Sequence, residues 1–195
     1  ATKVNKATIF FGHIPDYNQL IARNAAAHSE YDTIISTLSG KYQGEIQRSS
    51  EGKSKIRFVR PESAIQFALS LINRFHQSPK TPYKIGIAYA DQAENIRYED
   101  IAEKLSEACP ESAVLVSKEL VEMPGIDSDF RFIYVGSALF KGVNEPTEIY
   151  ALAGSGLYIP MQDELSLGVR NENFLSTILH PRRNLTTYVM ELRRR

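Results

Sequence analysis

The apolar positions change period along the chain, and each change marks a new element. Ala7 to Ile14 (ATIFFGHI) is a short, nearly continuous run of β-branched and aromatic residues, the pattern of a buried strand, and Pro15 supplies a helix start after it. From Tyr17 to Ser39 the apolar residues Ala27, Tyr31, Ile34, Ile35 and Leu38 fall at helical spacing, with Gly40 as a stop, which predicts one amphipathic helix. Gly44 to Ser50 and Lys53 to Val59 then alternate, Ile56 and Phe58 against Lys55 and Arg57, and Glu51-Gly52 between them reads as a hairpin turn with one face in the core and the other wet. Pro61 and Glu62 open a second helix with a strong stripe (Ala64, Phe67, Ala68, Leu71, Ile72, Phe75) that ends in the turn residues Ser78 to Pro82.

Tyr83 to Ala90 is strand-like, Glu94 to Tyr98 is a segment able to pair back on it, and Glu99 to Ala108 is a short helix halted by Pro110. Ala113 to Ser117 is a further strand, followed by a helical turn through Met123. Two β-rich runs, Phe132 to Val135 and Thr147 to Leu152, flank a turn-prone segment holding Gly142, Asn144 and Pro146. The sum is a β-α-β-β-α-β order with additional strands, which predicts an α+β, ferredoxin-like fold: a mainly antiparallel sheet with helices packed on it. Gly154-Ser155-Gly156 marks a boundary, giving a domain over 1–153 and a C-terminal extension over 154–195 whose apolar residues are expected to pack on the domain or on a partner.

Composition narrows the functional classes. The 195 residues, 43% hydrophobic and 24% charged, suit one globular domain, and 23 Lys plus Arg balance 23 Asp plus Glu, so no overall field draws the chain to nucleic acid or an acidic membrane. The one cysteine, Cys109, excludes an internal disulfide and a Cys-based metal site. No run reaches the ~18 to 20 apolar residues of a membrane-spanning helix, and the N-terminus has no signal-like apolar core. The expected setting is the cytoplasm, either as a whole protein or as the soluble part of a larger one.

The residue order from Arg131 to Leu152 (RFIYVGSALFKGVNEPTEIYAL) is more specific than its periodicity: an aromatic strand, a glycine, Leu-Phe-Lys-Gly-Val, Glu-Pro, then Ile-Tyr-Ala-Leu. It resembles the C-terminal signature of the class III nucleotidyl (adenylate/guanylate) cyclase homology domain. Ala7 to Leu20, Gly44 to Phe58, Lys84 to Leu105 and Ala113 to Ser117 are similar to further blocks of that family in the family's order. The resemblance implies paired domains with ATP or GTP at their interface, two aspartates holding two divalent ions, an Asn and an Arg four residues apart on one helix face, and a base-reading Lys with a partner.

At each of those positions this chain carries a different residue. His13 stands at the first aspartate; Gly52, or Glu51 if the hairpin holds a one-residue bulge, stands at the second. Asp100 and Lys104 replace the Asn and Arg, and Arg48 and Arg97 replace the base-reading pair. An acid facing the triphosphate repels it, and Lys lacks the bidentate fork of Arg. The resemblance therefore implies a domain that has kept the fold and lost cyclisation, with these seven residues as vestigial or ligand-binding candidates and no catalytic residue or bound metal. Expected partners are a second copy or another cyclase-like domain, in a homodimer or heterodimer, and a nucleotide or other small ligand; no nucleic acid and no direct membrane span are expected. One alternative is an unorthodox cyclase using His13 and Glu51 with Mn, or Mg, as cofactor. A second is a ferredoxin-like nucleic-acid binder using the basic hairpin of Arg48, Lys53, Lys55 and Arg57 together with the basic tail of Arg182, Arg183 and Arg193 to Arg195.

Overall fold

The computed structural model describes residues 6–77, 81–91, 98–140, 143 and 145–166. Seven strands form one sheet in the order β2-β3-β1-β4-β5-β7-β6. They are β1 (Lys6–His13), β2 (Glu45–Ser50), β3 (Lys53–Phe58), β4 (Lys84–Asp91), β5 (Val114–Ser117), β6 (Arg131–Ala138) and β7 (Thr147–Ala153). The helices are α1 (Tyr17–Arg23), α2 (Ala26–Lys41), α3 (Pro61–His76), α4 (Tyr98–Ala108), α5 (Lys118–Val121) and α6 (Ile126–Asp129). Among the described strands only β4 and β5 run parallel, joined across the sheet by α4. The β2-β3-β1-β4 part with α2 and α3 is the expected ferredoxin-like unit.

The sheet is covered on both faces, which explains the continuous apolar run of β1. Phe10 faces a cluster with Ile56, Phe58, Phe67, Leu71 and Ile85 under α2 and α3, while Ile9 and Phe11 join Ala88, Ala102, Leu105 and Leu115 under α4. Phe10 meets Phe67 edge to face, with ring centroids 4.8 Å apart. Burying each such ring contributes about 2 to 3 kcal/mol. On the other face α4 comes so close to β4 that a Cβ at Gly86 would lie 2.2 Å from the Ala102 carbonyl oxygen and 2.5 Å from the Ser106 nitrogen. Only glycine fits there.

Several local expectations change. The single helix expected from Tyr17 to Ser39 is two, because Asn24 is extended and its side-chain Oδ1 accepts from the Ala26 N–H at 3.2 Å, starting α2 afresh. Gly40 does not stop α2; the chain turns out of it at Gln43, whose φ of 59° is left-handed. Strand β2 is exposed at all six residues, Ile46 included, because it is the sheet edge; only β3 buries alternate residues. Tyr98 opens α4 rather than ending a strand, and the rest of the pairing segment proposed for Glu94 to Tyr98 lies outside the described residues. Residues 154–166 run back along the domain, with Leu165 buried beside α4 and the Ser166 N–H donating to the Ala108 carbonyl at 3.0 Å.

Candidate functional site

The end of β1 places His13 between two cations. In the strand register His13 stands opposite Lys53 of β3 on one side and Lys84 of β4 on the other, so all three side chains leave the same face of the sheet. Beneath it lies Ser106 of α4, whose Oγ donates to the Lys84 carbonyl at 3.0 Å and sits 2.8 Å from His13 Nδ1. With the Ser106 proton committed, Nδ1–H is the donor to Ser106 and Nε2 carries the lone pair. Burial, then the charges of Lys84 and Lys53, push the imidazole pKa from 6.5 down to about 4, so His13 is neutral at pH 7.

The hairpin turn occupies the position expected for a second ligand. Glu51 and Gly52 are its two central residues, with φ of 52° and 73°, as a type I′ connection requires. A one-residue bulge is present at Gln47, between the Ile46 and Arg48 pairings, which is the case in which Glu51 rather than Gly52 stands at the second position. The Gly52 carbonyl accepts from the Ile14 N–H at 2.9 Å, tying the turn to the end of β1. The ring of Tyr17 lies over Gly52: a Cβ there would fall 2.4 Å from Tyr17 Cδ2. Tyr17 is held in turn by a hydrogen bond between its hydroxyl and His28 Nδ1, and His28 Nε2 is 3.4 Å from Asp32 Oδ2. Burial and then the Asp32 and Glu51 carboxylates raise the Tyr17 phenol pKa.

These donors do not fit a pair of hard divalent ions. Mg and Mn favour carboxylate and water oxygens. The site instead offers one imidazole set between two ammonium groups, a glycine under a tyrosine ring, and Glu51 on an exposed turn. Among the described residues no three His, Cys, Asp or Glu side chains group as a metal-binding set.

The other candidates are dispersed. Asp100 and Lys104 both lie on α4, and Lys104 Nζ sits 6.0 Å from the centre of the Phe140 ring. Lys104 and Ser106 are two residues apart and so on opposite sides of a helix of 3.6 residues per turn, which separates Lys104 from His13. Arg48 of β2 stands opposite Lys55, on the His13 face of the sheet but two residues further along. Arg97 lies outside the described residues. Sequence reasoning missed Ser106, Lys84 and Tyr17. Ser106 is 93 residues from His13 and carries no local signal; the alternation of β4 alone could have put Lys84 on the His13 face.

No family model matches the sequence, and no curated protein is significantly similar to it. Solved structures do match. An adenylate cyclase of Trypanosoma brucei in its monomeric state aligns at a TM-score of 0.67 and 16% identity, over 76% of this chain and 89% of that one. The adenylyl cyclase CyaB of P. aeruginosa aligns at 0.67 and 18%, over 77% and 94%. The guanylate cyclase domain of RhGC from Catenaria anguillulae, in complex with GTP, aligns at 0.66 and 12%, over 78% and 98%. This chain has the α+β fold of the class III nucleotidyl cyclase catalytic domain.

Proposed function

We propose that this cyclase-fold chain has no cyclase activity and serves as a signalling, dimerisation or ligand-sensing module. The observation that carries the reading is His13 set between Lys53 and Lys84, with Glu51 of the exposed hairpin turn as the one carboxylate at the paired position. Two-metal phosphoryl transfer needs anionic donors where this chain presents cations, and it needs a charge-matched Asn and Arg where this chain has Asp100 and Lys104. A domain of this kind can still pair with another: one neighbour, a guanylyl cyclase domain from Blastocladiella emersonii, is described as dimeric. A homodimer, or a heterodimer with another cyclase-like domain, is the expected assembly. No cofactor is needed. Among the described residues no helix is long and apolar enough to cross a membrane, and a cytoplasmic setting is part of the proposal.

The test is product formation from ATP and from GTP with Mn and then Mg, run beside nucleotide titration and light scattering on one sample. We expect no cyclic product, saturable ligand binding and a dimer at high concentration. His13 Nε2 is the one feature that favours the alternative, a Mn-dependent cyclase using His13 and Glu51. Cyclic product that disappears in His13→Ala establishes that alternative and ends the proposal.

A further inference from the structure

On the His13 face, α4 packs over β1, β4 and β5, and the side chains of β2 and β3 beyond it are exposed or half-buried. Lys53 and Lys84 edge this open area. Both stand opposite His13, so their Cα atoms are two strand spacings apart, about 10 Å, and their side chains can bring both ammonium groups over one group placed above the imidazole. Neither makes an ion pair among the described residues. Arg48 and Lys55 leave the same face two residues further along and add to the positive potential.

We propose that Lys53 and Lys84 hold a compact phosphate-class polyanion directly, with His13 beneath it, so that this end of the sheet is a polyphosphate site that needs no divalent cation. The inference rests on the ligand-sensing reading above and narrows it to a chemical class and a place. Fixed ammonium groups do here what bound cations do elsewhere: they neutralise phosphate oxygens through charge-assisted hydrogen bonds. The cationic area is short. Arg57 is 3.8 Å from Glu45 and Glu51 closes the hairpin end, so the area suits a small polyanion rather than the extended backbone of a nucleic acid. The groups facing the imidazole are Lys53 from β3, Lys84 from β4 and Ser106 from α4. A phosphate oxygen beside Nε2 favours the imidazolium, so binding takes up a proton at His13.

The experiment is a calorimetric titration of the full chain with inorganic tripolyphosphate in EDTA, with the histidine ring protons followed by NMR on the same samples. The expected result is saturable one-to-one binding in EDTA, an upward shift of the His13 titration, and a loss of affinity of at least about tenfold in Lys53→Met/Lys84→Met. Lys41→Met, on α2 away from the site, is the control for nonspecific charge. Absence of binding in EDTA, binding that requires Mg or Mn, or unchanged affinity in the double variant overturns the inference. If the double variant does not fold, the single variants Lys53→Met and Lys84→Met carry the test, and unchanged affinity in both overturns the inference. A parallel ATP titration with Mg separates the two readings. Nucleotide binding without tripolyphosphate binding sinks this inference and leaves sensing standing; binding of neither sinks this inference and nucleotide sensing and leaves a signalling or dimerisation module.

Discussion

The seam between α4 and β4 and the hairpin end of the sheet are built by opposite rules, although His13 and Ser106 join them. In the seam, small and apolar side chains meet at full burial: Gly86, Ala88, Ala102 and Leu105 leave no room even for a methyl group. At the hairpin end the side chains are charged and reach solvent: Lys53 and Lys84 are half-buried and Arg48 is exposed. Packing at the seam is unforgiving because a close backbone approach has one solution. A charged strand face has many, since alternate positions can change type while the ladder beneath stays intact. A fold can therefore stay the same while the residue types on its edge change.

The hardest blow to that contrast falls on the seam. Gly86→Ala drives a Cβ into the Ala102 carbonyl, and we expect a loss of about 2 to 3 kcal/mol, visible as a Tm drop of about 6 to 10 °C. Denaturant melts of the two chains measure it, and a loss under about 0.5 kcal/mol would remove the distinction between the two regions.

Next in size is the attempt to rebuild a metal site at the permissive end. His13→Asp/Gly52→Asp supplies two carboxylates, yet the second must enter a left-handed turn position under the Tyr17 ring. We expect destabilisation of about 1 to 2 kcal/mol and no Mn binding by EPR. Adding Tyr17→Ala, Lys53→Met and Lys84→Met is expected to recover binding. Mn binding by the first double variant would show that neither the ring nor the lysines obstruct the site.

The core beneath the hairpin gives a smaller effect. Tyr31 is buried with its hydroxyl 2.6 Å from Ser54 Oγ and 3.1 Å from the Tyr83 hydroxyl. Tyr31→Phe leaves a buried hydroxyl short of a partner, and the expected cost is about 1 to 1.5 kcal/mol in the same melts. No change would mean that Ser54 and Tyr83 satisfy each other once Tyr31 is gone.

How much of this was legible from the sequence divides along the same line. The strands, the α3 stripe and the ferredoxin-like order could be read because burial imposes a period: Phe67, Leu71 and Phe75 recur at helical spacing only if one face is covered. The break at Asn24 could not, because it depends on one side-chain hydrogen bond to Ala26 in a segment whose apolar spacing runs on past it. At the site, His13 and the Glu51-Gly52 turn were named from residue order. What surrounds them, Lys84, Ser106 and the covering Tyr17, comes from strand register and helix docking, which bring together residues from four separate elements.

The smallest expected effect tests the environment of His13 itself. Its folded pKa of about 4 lies below the ordinary 6.5, so between those values the unfolded chain binds a proton that the folded chain does not. Stability from this group is then full above pH 6.5 and is lost as the pH falls toward 4, with no further change below. The full shift sets an upper limit of about 3 kcal/mol, and solvent reaching the ring reduces the expected value to about 1 kcal/mol. Carboxylates titrate in the same window, so the measurement is a difference: urea melts of the unaltered chain and of His13→Gln at pH 7.5, 6, 5 and 4.5. The gap between the two should move by about 1 kcal/mol in favour of His13→Gln on going from the highest pH to the lowest. A constant gap would mean that neither burial nor the two lysines lowers the imidazole pKa in the folded chain, and a gap moving the other way would place an anionic group beside it.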